Sequence, residues 1–160
     1  FETMYGSRGV GLAAPQIGKA LRLFIIDGSP FAEDEPENEE EAKENEFLKT
    51  FKRVFINPII EEEHGEEWGF EEGCLSIPGV REEVFREENV VISYYNEKWE
   101  LVEEELSGLA ARVVQHEYDH IEGKLFTDYL SPLKRRLNKR KLTDISKGIV
   151  PVNYKMKFPK

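Results

Sequence analysis

Two histidines four residues apart, with a glutamate directly after the first, form the run His116-Glu117-Tyr118-Asp119-His120. On a helix, side chains four apart share a face, so both imidazoles can reach one metal ion. The carboxylate of Glu117 then lies beside that ion. A divalent ion such as Zn²⁺ lowers the pKa of a bound water from about 16 to about 7, and a neighbouring glutamate can take the proton. The chemistry implied is hydrolysis. A hydrolytic site needs a third protein ligand and an open position. The chain holds one cysteine, Cys74, and one further histidine, His64. His64 ends the charged run Glu61-Glu62-Glu63-His64 and reads as a surface residue. Cys74 sits in the Gly-bearing segment Glu72-Gly73-Cys74-Leu75-Ser76, and a thiolate is a strong ligand for Zn²⁺ or Fe²⁺. The expected ligand set is therefore Cys74, His116 and His120.

The same residues admit other readings. Metalloproteases with this helix motif usually take the third ligand downstream of the helix, where this chain offers only Glu122 and a few other acids. A structural zinc site is normally closed by four Cys or His ligands, and here it would need His64 as the fourth.

The elements that must position these groups follow from periodicity. Residues 9–18 (GVGLAAPQIG) are too broken for a helix and read as a tight loop entering a strand. Residues 21–27, 53–63, 89–96 and 99–106 read as short strands, the third and fourth joined by a turn. Residues 66–78, with the cysteine, read as a loop. Strands without intervening helices favour antiparallel pairing. The period then changes. Ser107 is a plausible N-cap and Gly123 a C-terminal glycine for a helix. On that helix Leu109, Val113, His116 and His120 fall on one stripe and Ala110, Val114, Glu117 and Ile121 on the next. Arg112, Gln115, Asp119 and Glu122 supply its polar side. A helix apolar around most of its circumference is expected to be buried. Ser131-Pro132 opens a last helix, amphipathic, with Leu133 and Leu137 against Lys134, Arg135, Arg136, Lys139, Arg140 and Lys141. The expected fold class is α+β: antiparallel β-sheets packed around a central helix carrying the H-E-x-x-H motif, plus a C-terminal helix.

Bulk properties bound the rest. The 160 residues suit one domain with a real core, residues 1–160. No run of about 18 apolar residues is present to span a membrane. One cysteine permits no internal disulfide and fits a reducing compartment. The net charge of −10 is concentrated in residues 33–46, which hold nine acids and one lysine. That stretch, within an acidic insertion at residues 31–50, is expected to be a solvated, disordered loop. Residues 1–5 (FETMY) read as the end of a helix, so N-terminal sequence is expected to be missing.

Three segments together resemble the peptide deformylase family of bacterial type. They are Gly9-Val10-Gly11-Leu12-Ala13-Ala14-Pro15-Gln16, Glu72-Gly73-Cys74-Leu75-Ser76 and Gln115-His116-Glu117-Tyr118-Asp119-His120, in that order. The resemblance implies removal of the formyl group from the N-terminal formylmethionine of nascent chains in the bacterial cytoplasm. It implies one divalent ion, Fe²⁺ as the native metal with Zn²⁺ or Ni²⁺ able to replace it, held by Cys74, His116 and His120. Glu117 is then the general base and acid. Gln16 and the backbone N–H of Leu75 polarise the formyl oxygen, at about 3 kcal/mol each in comparable sites. Gly11 leaves its backbone open to the extended substrate. Val10, Phe70, Leu109 and Val113 are candidates for the methionine pocket, and Arg81 for a peptide contact. Glu72 and Asp119 orient ligands as acceptors. The basic last helix is a candidate ribosome contact through phosphate. No membrane or DNA partner is expected.

Overall fold

The apolar run of the first strand candidate, residues 23–26, does pair into a sheet. The computed structural model describes residues 1–158, and their architecture is α+β. In chain order come helix α1 (Glu2–Gly6), strands β1 (Gly11–Ala13) and β2 (Leu23–Asp27), and helix α2 (Glu39–Leu48). Strands β3 (Lys52–Cys74), β4 (Ile77–Tyr95) and β5 (Leu101–Ser107) follow, then helices α3 (Gly108–Ile121) and α4 (Pro132–Ser146). All five strands form one antiparallel sheet in sequence order, rather than separate sheets. Its long strands β3 and β4 change register near Pro58, at Ile60/Glu62 and across His64–Glu67. Such irregularities bend a strand and let one sheet cover two packing surfaces.

The main core lies where this sheet meets α3. Phe24, Ile26, Phe55, Val90 and Ile92 are fully buried against Ala110, Ala111, Val113 and Val114. Phe24 stacks on Phe55 with ring centres 4.6 Å apart. Each such side chain contributes about 1.5–3 kcal/mol on burial. A second, smaller core of Ile77, Val80, Val84, Phe126, Leu130 and Ile145 joins β4 to α4.

Four expectations are corrected. Residues 66–78 are not a loop: β3 runs through to Cys74, and only Leu75 and Ser76 form the turn, with Cys74 paired to Ile77. Sequence patterning misses this because the paired glutamates Glu66-Glu67 and Glu71-Glu72, with Gly69 and Gly73, break any apolar alternation in this part of β3. The acidic stretch is not disordered. Asn38 accepts from the N–H groups of Glu40 and Glu41 at 3.0 and 2.9 Å, and Glu39–Glu41 occupy the first turn of α2. Negative charge at a helix N-terminus is favourable, so the like-charge run is tolerated where it falls. The polar side assigned to α3 is largely buried: Arg112, Gln115 and Asp119 are 2%, 3% and 6% exposed. In α4, Leu133 and Leu137 point to solvent, at 67% and 72% exposure, while Asn138 and Ile145 face inward. Asn138 there donates to Glu82 Oε1 at 2.6 Å, so α4 meets the sheet partly through polar contacts.

Candidate metal centre

The site is assembled from three places in the chain. Cys74 ends β3, His116, Glu117 and His120 project from α3, and Gln16 comes from the short 3₁₀ turn Ala14–Ile17 after β1. Ligand atoms of Cys74, His116 and His120 all lie within 4.8 Å of one another. Cys74 Sγ is 3.2 Å from His120 Nε2. Two donors bound to one ion in tetrahedral geometry are roughly 3.5 Å apart, so the cluster has the right scale. One thiolate and two imidazoles suit Zn²⁺ or Fe²⁺. A further observation fits an ion with a water beside it: Glu117 Oε2 is buried and has no hydrogen-bond partner. His64 is elsewhere, with Nε2 3.1 Å from Glu105 Oε1. Among the described residues the cluster has three members, and the closed four-ligand reading loses its fourth ligand.

Glu72 orients one of the candidate ligands. Its Oε2 lies 2.9 Å from His116 Nδ1, which leaves Nε2 as the free donor. Asp119 makes its hydrogen bonds elsewhere than to His116 or His120: it accepts from Arg86 at 2.8 Å and from the Tyr129 hydroxyl at 3.0 Å. Burial pushes the Glu72 carboxyl up, but hydrogen bonds from His116 and Arg86 outweigh it and hold the group at about 2. Burial, reinforced by the Glu72 charge and opposed by His116, pushes Glu117 up to about 7. That suits a group that both takes and returns a proton near neutrality. Burial, with His116 and Arg86 nearby, pulls His120 down to about 4 and keeps it a neutral donor.

A cavity of about 1020 Å³ opens over the cluster. Cys74, His116 and Glu117 form part of its wall, with Gln16, Leu75 and Gly11 alongside. Val10, Phe70, Val113 and Arg81 line it too. Leu109 does not: it lines a separate acidic cavity of about 580 Å³ between α2 and β3. Leu109 sits nearly two turns before His116 at the start of α3, and there the chain faces α2. Gln16 Nε2 donates to Ser76 Oγ at 3.1 Å and to Cys74 Sγ at 3.6 Å, while its Oε1 accepts from Ala13 N–H at 2.8 Å. Gly11 pairs with Ile26 within the sheet, and a Cβ there would collide with the Glu117 carboxylate. That collision is a requirement for glycine separate from any substrate contact.

Several site residues carried no readable signal. Arg86 and Arg112 both grip Glu72. Arg112 lies four residues before His116, but its charge placed it on the expected polar side of the helix. Tyr154 donates its hydroxyl to the Leu75 carbonyl at 2.7 Å, and Pro151–Tyr154 line the cavity.

An α+β domain with Glu117 buried among Cys74, His116 and His120 beneath an open cavity defines a class, the metal-dependent hydrolases. Comparison with known proteins narrows it. A family model described as polypeptide deformylase matches residues 1–136. A peptide deformylase from Christiangramia forsetii is 60% identical over 99% of this chain and 80% of its own length. One from Cytophaga hutchinsonii is 53% identical with the same coverage. Among solved structures, a Legionella pneumophila peptide deformylase superposes with TM-score 0.71 at 41% identity, over 94% of this chain and 79% of that one. Arabidopsis thaliana peptide deformylase 1B, in complex with an inhibitor, gives TM-score 0.76 at 31% identity over 98% and 81%. The chain belongs to the peptide deformylase family.

Proposed function

We propose that this protein hydrolyses the N-formyl group of N-terminal formylmethionine on nascent polypeptides and releases formate. The observation that carries the reading is the unpartnered carboxylate oxygen of Glu117, buried beside the Cys74, His116 and His120 donors at the base of an open cavity. When bound, a divalent ion supplies Lewis acidity at that cluster and makes water a nucleophile at neutral pH. We assign Fe²⁺ as the native ion, with Zn²⁺ or Ni²⁺ able to replace it.

Glu117 takes the proton from the attacking water and returns it to the departing amine. Its raised proton affinity matches both steps. The Gln16 amide and the Leu75 N–H are assigned to the formyl oxygen as charge develops on it. Gln16 already presents its NH₂ toward Cys74 and Ser76, with its oxygen held by Ala13. Val10, Phe70 and Val113 are assigned to the methionine side chain and Arg81 to the following peptide. Leu109 is withdrawn from the pocket on its position. Gly11 keeps room for Glu117.

The proposed setting is the bacterial cytoplasm. No helix of the described residues is long and apolar enough to cross a membrane. Exposed bases on α4 support a contact with ribosomal RNA. The test is formate release from formyl-Met-Ala by the Fe²⁺- and Zn²⁺-loaded forms, beside Glu117→Ala. Turnover by the wild type and its loss in the variant are expected. A wild type inactive with every metal would overturn the proposal.

A further inference from the structure

A guanidinium in the cavity wall has no part in the chemistry above. Arg112 is 2% exposed and lies four residues before His116, so the two side chains share a face of α3. Its Nη1 donates to Glu72 Oε1 and to the Val84 carbonyl, both at 3.2 Å, and its Nη2 donates to the Trp68 carbonyl at 2.6 Å. The Trp68 ring centre is 4.4 Å from the guanidinium carbon. Its Nε has no partner. Burying a charged group and an unpaired N–H is unfavourable, and an apolar residue of similar size would avoid both costs. Packing alone does not account for an arginine here.

Its contacts do. Glu72 uses every acceptor position: Oε1 receives Arg86 Nε at 2.7 Å and Arg112 Nη1, and Oε2 receives Arg86 Nη2 at 3.1 Å and faces His116 Nδ1. Arg86 belongs to β4, so its fork fixes the carboxylate relative to the sheet. Arg112 belongs to the helix that carries His116. Through Trp68 and Val84 it is also tied to the backbone of β3 and β4. Arg86 reaches the same helix only through the Asp119 side chain, whereas Arg112 is itself a residue of that helix and bonds Glu72 directly.

We propose that Arg112 is a positioning residue for the metal centre, holding Glu72 in register with α3 so that Glu72 fixes the orientation of His116. The proposal rests on the reading of Cys74, His116 and His120 as ligands. Two effects of Arg112 oppose each other. Its positive charge repels a nearby cation, whereas its grip orients a ligand. The sign of the change on substitution separates them.

The experiment strips and reloads the full chain with Zn²⁺ and measures affinity by competition with a chromophoric chelator. Co²⁺ loading adds a visible spectrum that reports ligand geometry. The wild type should take up one ion per chain; failure to bind would sink the ligand reading itself. Arg112→Met should bind Zn²⁺ about 10–100-fold more weakly and alter the Co²⁺ spectrum. Arg112→Lys, which keeps the charge and loses the fork, should stay weakened. In a Glu72→Gln background the Arg112→Met effect should largely disappear, because the two act in series. Affinity that is unchanged or tighter in either Arg112 variant, or effects that simply add, would overturn the proposal with the ligand reading intact. If Arg112→Met does not fold by circular dichroism, the Lys variant decides.

Discussion

Glu44 Oε1 accepts a hydrogen bond from the backbone N–H of Leu109 at 2.8 Å, so a residue of the acidic segment caps the helix that bears His116 and His120. Ser107 stands at the N-cap position but its side chain makes no cap bond. The helix opens on Gly108 at φ +56°, where a Cβ would strike the Glu44 carboxylate. A charged acceptor at a helix N-terminus satisfies an orphan donor and complements the dipole. Glu44→Ala should therefore destabilise the fold by about 1 kcal/mol. Glu44→Gln, which retains an acceptor, should lose less. Urea denaturation of both variants checks this, and equal stability of Glu44→Ala and wild type would refute the cap.

Gly11 and Glu117 form a second tight pairing. A methyl group at position 11 cannot coexist with the present carboxylate position. Gly11→Ala should lower kcat/KM on the order of 100-fold, the scale expected when a reacting group is displaced by about 1 Å. Metal content should be unchanged, because Gly11 is not among the clustered donors. Metal analysis beside formate-release kinetics separates a displaced Glu117 from a lost ion.

The proposed donors to the formyl oxygen can be weighed in the same assay. Gln16→Leu should reduce kcat by about 10²–10³, the usual loss for one preorganised donor. N-acetyl-Met-Ala, with a methyl in place of the formyl hydrogen, should be turned over far more slowly than its formyl counterpart. Equal rates on the two peptides would refute a site shaped around the formyl group.

Asp27 gives a pH dependence remote from the metal cluster. Its burial raises its proton affinity, but hydrogen bonds from Ser29 and Tyr5, with Lys52 nearby, outweigh that and leave the carboxyl below its ordinary 3.8. A depressed carboxyl contributes stability above its unfolded pKa of about 3.9 and loses it as pH falls through the folded value. The stability gap between wild type and Asp27→Asn should be flat from pH 5 to neutrality, on the order of that window, and shrink below about pH 4. Denaturation curves at several pH values measure it. A gap that widens in acid would reverse the assignment.

The outer face of α4 is basic, with Arg136, Lys139 and Arg140 exposed beside Leu133 and Leu137. Arg135 is drawn back onto the carbonyls of Leu130 and Asp128 and belongs to the fold. Neutralising Arg136, Lys139 and Arg140 should weaken ribosome co-sedimentation and flatten its salt dependence. Turnover of formyl-Met-Ala should be preserved. Co-sedimentation unaffected by the triple substitution would remove the contact.

The divide between sequence and structure follows from the range of the interactions. Local spacing determines much of the site: His116, Glu117 and His120 lie on one helical stretch, and four-residue spacing places two imidazoles together whatever surrounds them. The single cysteine limits the third ligand, and the β-branched and aromatic residues of 21–27, 89–96 and 99–106 mark β2, the end of β4 and β5. What was illegible depends on partners distant in sequence. The buried charge of Arg112 and Arg86 has meaning only with Glu72 between them, and nothing near either arginine announces it. The acidic stretch reads as self-repelling until its helix is docked and Glu44 meets Leu109, 65 positions away. Leu133 and Leu137 look like a core stripe until the polar contacts of Asn138 turn the other face of α4 inward. Periodicity reports which residues can share a face. Only the tertiary structure decides which face is buried, and which charges are matched across it.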